Sequence, residues 1–555
     1  MIAKILLFLF LSAATVLAQA VPVNSFTDAN GNTLRLSSPF DDIPNDGFYP
    51  LIVEMTSRSR DARWSVNQNT NGYGEFRRNM IFECPAGESR TTTVLMASGS
   101  ERGGYSYGIN LEIFASGVSD SVRFSEQNQS GTFEGVLKGA TSTMGRGNMF
   151  SGTGMTSFST GIAPTDWRAY VGYRGIVVAD SEWRAMEPGA RVAISHYVKS
   201  GGALVVIVPD ETSASTLPGF PKPEDPNRPG HVGLGKAMTV VNEKLDPEFI
   251  NKAVATKASY SDSLAEWKRN APEFFPKRSS TLTSLLMLVV LVGFAVLIGP
   301  VNLFLLAPAK RRHRLFFSVP VIALSTSALL LVFVLLGDGL GGKGHRFLLI
   351  ENRPGEGEAV NHVIQYQTSR CGVLFSTDFA SGVSATIQNL TDGSSDYRYS
   401  GSGAAKELIA DPDNLEGNGA WFVSRTSQNY RVTATVPGRG RIEIRGSGAS
   451  AKLTSTFAFP LDALWFRDTE GNWWKTGPMK MGEPVGVQPV NATEPRTEWS
   501  TLLDKAPDEI ASRANEAAQR RGSFIAFTSA PEGVKTHASI RWTDQAVITG
   551  PLFQP

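Results

Sequence analysis

The chain is poor in the residues from which metal sites and disulfide scaffolds are built. Its 555 residues include only two cysteines, Cys84 and Cys371, and six histidines. Two cysteines are too few for a disulfide-rich scaffold or for a cysteine-rich metal site. The histidines are scattered without metal-ligand spacing. We therefore predict no metal or other cofactor. We interpret the cysteines as two buried thiols, with one disulfide between them as the alternative.

Net charge is also nearly absent. The chain has 53 basic and 52 acidic side chains, which gives a formal net charge of +1. Proteins that bind DNA or RNA usually carry a strongly basic patch, because neutralisation of phosphates supplies much of their affinity. We therefore expect no nucleic-acid partner.

Two long uncharged apolar runs are the most informative feature that is present. They cover residues 281–309 and 315–337, and each exceeds the roughly 20 residues that a helix needs to span a bilayer. The intervening turn, 310–314, has four basic residues: Lys310, Arg311, Arg312 and Arg314. A short basic turn is cytoplasmic by the positive-inside rule. The pattern predicts a transmembrane helical hairpin that is embedded in the lipid bilayer, with both flanking regions on the non-cytoplasmic side.

The N-terminus is consistent with export. Residues 1–20 contain Lys4, a short apolar stretch and the small-x-small sequence Ala18-Gln19-Ala20, which are typical of a secretory signal peptide. A third membrane helix is the alternative. Together with the hairpin, this predicts a protein of the bacterial inner (plasma) membrane, with most of the chain on the periplasmic or external side.

Strand patterns occupy both ends of the remaining chain. Residues 21–131 contain short alternating runs separated by polar and glycine-rich segments, which predict an immunoglobulin-like β-sandwich. Residues 338–555 predict a β-rich C-terminal domain, in which 347–351 and 372–377 are among the expected strands. A helix at about 506–521 and a strand at 523–528 are expected near its end.

The middle region, 132–262, has a different pattern. An apolar strand ends at Asp180, a helix opens at Pro188 and stops at Gly201-Gly202, and a second apolar strand follows from Ala203. Near-continuous apolar strands that flank a helix indicate a parallel sheet covered on both faces. A further helix is expected from Asp246 to about residue 270, leading into a juxtamembrane segment, 263–280.

This region resembles a class I glutamine amidotransferase-like domain, and most closely its membrane-anchored bacterial subgroup. The resemblance rests on "DWRAYVGYRGIVVADSEW", "EPGARVAISHYVKSGGALVVIV" and "HVGLGKAMTV", with "GPVNLFLLAPAKRRHR" similar to the membrane portion. It implies a flavodoxin-like α/β layer. Active members carry a cysteine at a strand-to-helix elbow, but here the second strand is followed by Pro209-Asp210-Glu211. We therefore assign no catalytic residue and expect no glutaminase activity.

Three carboxylates remain as candidates for a ligand crevice. Asp180, Asp210 and Glu211 should lie at the carboxyl ends of parallel strands, where ligands bind in open α/β sheets. The alternative is that they only end strands and cap helices. The sequence "GDGLGGKG" at 337–344 nearly matches a phosphate-binding loop, but it has Gly344 where such a loop needs Ser or Thr. We interpret it as a flexible exit from the membrane.

Three functional hypotheses follow. The first is a non-enzymatic envelope protein whose external domains bind protein partners in a membrane complex. The second is a hydrolase or glycan-processing enzyme that uses the crevice carboxylates. The third is an external ligand sensor coupled to a membrane partner. Because the two helices must emerge side by side, we also expect the region 345–555 to dock on 132–278 as one external body.

Overall fold

The computed structural model describes residues 23–44, 47–70, 76–98, 108–125, 136–139, 155–222, 230–241, 266–274, 281–306, 309–354, 360–390, 406–490, 494–531 and 533–554. The chain is a mixed α/β protein with many sheets and two long apolar helices. The predicted signal peptide, 1–20, lies outside the described residues, as does most of the helix expected from Asp246. Of that helix, 266–270 is described and is helical.

The first region consists of two four-stranded antiparallel sheets. Their strands are β1 (Asn24–Thr27), β2 (Thr33–Ser37), β3 (Phe48–Thr56), β4 (Ala62–Thr70), β5 (Arg77–Cys84), β6 (Ser89–Ala97), β7 (Gly108–Ala115) and β8 (Val118–Ser125). The sheet orders are β1-β2-β3-β6 and β5-β4-β7-β8. Gln68 Nε2 of one sheet donates to the Ala97 carbonyl of the other at 2.8 Å, and both sheets contribute to one core. This is the arrangement expected of a β-sandwich, while its immunoglobulin-like topology stays a prediction.

The middle region is built around a mainly parallel sheet. Its strands are β9 (Val136–Gly139), β10 (Met155–Phe158), β11 (Gly175–Ala179), β12 (Ala203–Val208), β13 (His231–Val232) and β14 (Gly235–Val241), in the order β10-β9-β11-β12-β14-β13. Only β13 pairs antiparallel. Its helices are α1 (Asp180–Ala185), α2 (Pro188–Lys199) and α3 (Glu211–Ser215). The predicted strand–helix–strand unit is confirmed.

Glycine residues make the end of α2 possible. The backbone N–H of Gly201 donates to the Val198 carbonyl at 2.8 Å, and that of Gly202 donates to Tyr197 at 3.0 Å. Gly201 has φ +114°, a backbone conformation that residues other than glycine rarely adopt. At Gly202, a Cβ atom would lie 2.2 Å from the Tyr197 ring. The predicted helix stop therefore rests on backbone conformation at the first glycine and on lack of space at the second.

Two apolar helices follow. They are α4 (Thr281–Val296), which continues as a π-helical segment over Leu297–Leu306, and α5 (Leu315–Asp338), with a 3₁₀ turn over Ala309–Arg314 between them. Both are long and apolar enough to cross a membrane, and almost none of their apolar windows is buried by the rest of the protein. Pro300 lies in the π-helical segment, where its missing N–H is consistent with the departure from α-helical geometry. Ser318 Oγ donates to Asn302 Oδ1 at 2.7 Å and joins the two helices.

The C-terminal region is built on a nine-stranded sheet, which two three-stranded sheets accompany. The strands are β15 (Gly342–Arg353), β16 (Val360–Cys371), β17 (Phe379–Ala380), β18 (Ser384–Asn389), β19 (Glu407–Asp411), β20 (Asn414–Asn418), β21 (Ser427–Pro437), β22 (Ile442–Arg445), β23 (Lys452–Ser455), β24 (Ala463–Arg467), β25 (Trp473–Thr476), β26 (Pro484–Gly486), β27 (Gln488–Val490), β28 (Ser523–Thr528) and β29 (Ile540–Pro551). The large sheet has the order β18-β21-β16-β15-β29-β28-β24-β25-β27, and the small ones are β17-β20-β19 and β22-β23-β26. The helices of this region are α6 (Glu494–Leu503) and α7 (Asp508–Ala518).

Two details of this region differ from prediction. The prediction of a flexible segment over 337–344 is wrong from Gly342 onward, because β15 begins at that residue. Gly344 pairs with neighbouring strands on both sides, and only glycine fits there because a Cβ atom would lie 2.4 Å from the Trp542 ring. Residues 372–377, expected to be a strand, form a loop with a single bridge between Val373 and Leu340.

We expect Gly201→Val to destabilise the protein by about 1–3 kcal/mol, because valine is strained at this φ angle. Its Cβ atom would also lie within 3 Å of the Arg513 guanidinium. The midpoint of thermal unfolding of the purified full chain measures the effect. Gly477→Val is the matched control, since no atom lies within 4 Å of the Cβ position there. Equal midpoints for the two variants would contradict this account of the helix end.

Candidate functional site

The predicted carboxylates do lie at one edge of the parallel sheet. Ala179, the last residue of β11, is in register with Ile207 near the end of β12. Asp180 follows as the first residue of α1, and Asp210 is the N-cap of α3. Glu211 is exposed in the first turn of α3. All three residues therefore follow the carboxyl ends of neighbouring parallel strands, while their role in a ligand crevice stays a prediction.

Their hydrogen bonds, however, serve the local fold. Arg184 Nε donates to the Asp180 carboxylate at 2.9 and 3.0 Å, and the same guanidinium donates to the Ser213 carbonyl at 3.2 Å. Asp210 Oδ1 accepts the backbone N–H of Ser213 at 2.7 Å, and this bond lowers the pKa of Asp210. Arg184 thus ties α1 to α3, and the alternative interpretation of strand ends and helix caps accounts for these contacts.

Glu182 is a buried carboxylate at the same edge that sequence reasoning missed. It accepts the backbone N–H of Ala179 at 2.9 Å, where α1 begins. A Cβ atom on Gly139, at the end of β9, would lie 2.0 Å from Glu182 Oε2, so only glycine fits there. A glutamate at the third position of a helix is a known N-terminal signature and could have identified it.

Neither cysteine is placed to act as a nucleophile at this edge. Cys84 lies in β5, where its thiol donates to the Glu88 carbonyl at 3.3 Å. Cys371 ends β16, its thiol donates to Gln428 Oε1 at 3.4 Å, and burial raises its pKa to about 11. Both are free and buried, in agreement with the interpretation as two separate thiols. Within the described ranges, no group of three or more His, Cys, Asp or Glu side chains could hold a metal ion.

Among the described residues, a larger group of buried charges lies where the C-terminal region meets the parallel sheet. We call it the seam: Glu351, Arg353, Tyr366, Arg431, Glu509, Arg513 and Arg520, with His362 and Ser200 at one side. Arg513 donates to the carbonyls of Leu234 and Gly201, and Arg520 donates to that of Gly233. Two arginines of the C-terminal region therefore bind the backbone of the β13–β14 turn and the end of α2.

Buried carboxylates hold these arginines. Glu509 accepts two bonds from Arg431 at 2.8 Å and one from the Tyr366 hydroxyl at 2.7 Å. Arg513 Nε donates to Glu509 at 3.1 Å. Burial alone would raise the pKa of Glu509, but the arginines outweigh it and hold the pKa far below its usual range.

Glu351 has the same role within the large sheet. It is fully buried in β15 and accepts bonds from Arg353 and Arg520, both at 2.8 Å. Thr549 of β29, directly opposite it in the sheet, donates to its second oxygen. Burial opposes ionisation, but Arg520 and Arg353 lower the pKa of Glu351 to about 2.

A buried histidine completes the seam. His362 of β16 lies directly opposite Glu351, and its Nδ1 is 3.1 Å from Ser200 Oγ at the end of α2. The His196 ring of α2 lies 5.6 Å away, centroid to centroid. Burial lowers the pKa of His362 well below its usual value, and His196, Arg353 and Lys199 lower it further against the opposing effect of Glu351. The ring is therefore neutral at pH 7.

Further contacts extend the interface in both directions. Arg168 donates to the carbonyls of Asp411 and Asn414 at 2.6 and 3.0 Å. Trp267 Nε1, in the juxtamembrane segment, donates to the Lys505 carbonyl at 3.1 Å. The predicted docking of 345–555 on 132–278 is thus present in the structure. The residues that form it were not predicted, because most of the partners are far apart in sequence.

Comparisons with known proteins add little. No family model matches the chain, and no curated protein matches it. Among solved structures, the yeast delta-COP-I mu-homology domain in complex with a Dsl1 WxWxV peptide is similar at 8% sequence identity. The alignment covers 38% of this chain and 96% of that chain, with a TM-score of 0.17. A score this low supports no argument about fold or function.

We expect Glu509→Gln to destabilise the full chain by about 3 kcal/mol, because two buried arginines lose their counter-charge. Glu516→Gln on the same helix is the control. Its side chain is 47% exposed, and its ion pair with His231 spans 3.8 Å. We expect that change to alter stability by less than about 0.5 kcal/mol. The thermal unfolding midpoints of both variants measure the difference. Similar decreases in midpoint would show that the buried ion pairs of the seam stabilise the protein no more than a surface ion pair does.

The free energy of unfolding should fall as pH is lowered. His362 has a lowered pKa when folded, so the unfolded state takes up its proton first and stability declines below about pH 6.5. Glu351 and Glu509 also have lowered values, so a second decline begins below about pH 4.5. In His362→Asn we expect the first decline to shrink and the second to remain, measured by thermal unfolding across this range. An unchanged first decline would contradict the assignment to His362.

Proposed function

We propose that the protein is a non-enzymatic binding protein of the bacterial cell envelope, anchored by its helical hairpin. The observation that carries this proposal is the seam. It joins chain on the two sides of the hairpin through buried ion pairs and carbonyl contacts. A body held this firmly together offers one continuous external surface, and protein partners in a membrane complex are the class of ligand that we propose for it.

The apolar helices support the anchoring. Side chains such as Phe304, Phe316 and Leu324 are more than 70% exposed, which is unfavourable in water and favourable among lipid acyl chains. The basic turn that includes Lys310 and Arg314 supports a cytoplasmic position for the tip of the hairpin. We therefore propose an inner-membrane protein whose remaining domains lie on the periplasmic side.

We further propose that the parallel sheet is an amidotransferase-like layer without catalytic activity. Four neighbouring strand pairings, β10-β9, β9-β11, β11-β12 and β12-β14, are parallel, as in a flavodoxin-like layer. The elbow after β12 carries Asp210, which caps α3, and no cysteine. Its carboxylates are bound by neighbouring side-chain and backbone groups, which supports a structural role.

Two alternatives have specific tests. Asp180 and Asp210 share one sheet edge, which favours a hydrolase or glycan-processing enzyme as the second candidate. Turnover of a glycan or of glutamine by the full chain, abolished by Asp180→Asn, would replace the binding proposal with this one. A sensor would instead show partner binding that changes with an external ligand, and the short turn 310–314 would require a membrane partner to transmit the signal.

The topology of the proposal is tested by impermeant thiol labelling in intact cells or spheroplasts. Cysteines introduced singly at Glu211 and Asp411 should react, because both residues are exposed and lie on either side of the hairpin. A cysteine at His313 should react only after permeabilisation. Cys84 and Cys371 are buried, so the unsubstituted chain is the blank. Labelling of only one of the two external positions would break the hairpin topology and with it the proposal.

A further inference from the structure

Three basic residues lie side by side at one end of the nine-stranded sheet. Lys343 of β15 is in register with Arg370 of β16 and with Arg541 of β29. Neighbouring strands are about 4.8 Å apart, and residues in register point to the same face. We call these three residues the basic row. Like charges placed directly opposite each other destabilise a sheet, so the row has an energetic cost unless an anion binds to it.

The basic row forms no ion pair with another described residue. None of the ion pairs formed within those ranges of the chain includes Lys343, Arg370 or Arg541. Lys343 and Arg541 are exposed, and Arg370 is half-buried. The row therefore contrasts with Arg346 on the same strand, which pairs with Asp544 at 2.5 Å.

The basic row lies close to both roots of the hairpin. Helix α5 ends at Asp338, and β15 begins at Gly342, so the row follows the membrane exit almost at once. On the same face of β15, His345 packs against Phe274 with ring centroids 5.4 Å apart. Phe274 shortly precedes α4, which begins at Thr281. This end of the sheet is therefore the end that faces the bilayer in the proposed topology.

An exposed apolar patch accompanies the row. Phe375 is 91% exposed, Leu340 is 62% exposed and Val423 is 41% exposed. Leu340 is bridged to Val373, in the 372–377 loop that presents Phe375. Exposed apolar patches rimmed by polar residues mark interaction sites, and aromatic side chains are enriched where a bilayer meets water.

The loop that presents Phe375 is held in place from several sides. The Leu374 N–H donates to Ser424 Oγ at 3.0 Å, and His537 Nε2 lies 2.9 Å from the Ser376 carbonyl. Gly372 N–H donates to the Gly341 carbonyl at 2.6 Å, which ties the loop to the start of β15. The aromatic ring is thus presented to the surroundings by an anchored backbone.

We propose that this end of the sheet docks on the surface of the bilayer that holds the hairpin. The basic row binds the phosphates of anionic phospholipids, and Phe375 and Leu340 insert among the headgroups. This inference rests on the proposed membrane anchoring and adds a lipid class to it. Each basic residue close to an anionic membrane surface contributes roughly a fivefold gain in lipid occupancy. Phosphate chemistry alone would also fit a free anion, but the apolar patch beside the row favours a lipid.

The position of the loop can be measured with the full chain in lipid nanodiscs. Cysteine at Ser376 carries an environment-sensitive fluorophore, and lipids with a headgroup-level spin label act as quenchers. Cysteine at Ser447 is the matched control, because it is exposed and follows β22, whose Ile444 bonds to Phe553 beyond the end of β29 that is remote from the basic row. We expect strong quenching at 376 and none at 447, and phosphatidylglycerol should increase the quenching at 376.

The charge requirement has its own control. Lys343→Gln, Arg370→Gln and Arg541→Gln together remove three positive charges from the basic row. Arg439→Gln, Arg445→Gln and Lys452→Gln remove three exposed charges from the distal end. We expect the first variant to lose at least fivefold in phosphatidylglycerol retained during native mass spectrometry, and the second to retain wild-type amounts. Phe375→Ser should reduce quenching at 376 in every lipid mixture. Equal unfolding midpoints show that each variant is folded.

The outcomes separate the two proposals. If alkaline carbonate extracts the protein from membranes, the anchoring fails and the proposed function fails with it. If the protein stays in the membrane but the probe at 376 is not quenched, bilayer docking is overturned while the anchoring stands. If inorganic phosphate displaces phosphatidylglycerol and the basic row binds it equally well in detergent, the site is for a free anion and the lipid assignment is wrong.

Discussion

Two buried carboxylates, Glu351 and Glu509, hold the body of this protein together. Each lies within the C-terminal region and neutralises one arginine, Arg520 or Arg513, whose remaining donors reach backbone carbonyls of the parallel-sheet region. A buried charge without a partner costs several kcal/mol, so the arginines could not cross the interface without these carboxylates. A hydrophobic interface of the same size could slide. This one fixes orientation, because guanidinium groups donate in fixed directions to defined carbonyls.

The carboxylates at the edge of the parallel sheet take part in local contacts and not in this interface. Asp180, Glu182 and Asp210 all form bonds within their own helices and turns. The sheet contributes instead through its other segments, the end of α2 and the β13–β14 turn, which accept bonds from Arg513 and Arg520. The parallel sheet thereby supports the C-terminal region through backbone carbonyls of these two segments.

Local patterns were readable from the sequence, and distant partnerships were not. Periodicity and capping residues predict the strand–helix–strand unit around Pro188, and apolar length predicts the two helices of the hairpin. These signals all act over short stretches of sequence. Arg513 and Leu234 are bonded across 279 positions, and no local pattern marks such a pair. The 372–377 loop was mistaken for a strand because Val373, Leu374 and Phe375 form an apolar run. In the structure Phe375 points outward, which an apolar run does not reveal.

The position of β29 in the nine-stranded sheet has a consequence for biogenesis. It pairs parallel with β15 and antiparallel with β28, so it occupies the middle of the sheet although it is made after every other described strand. Until it arrives, β15 and β28 each present an unpaired edge, and such edges invite aggregation. Until β29 is made, Glu351 also lacks the hydrogen bond that Thr549 of this strand donates to it. Closure of this sheet is therefore a late event in synthesis. A chain stalled before β29 would leave the sheet open along its centre, with two unpaired strand edges that favour aggregation and proteolysis.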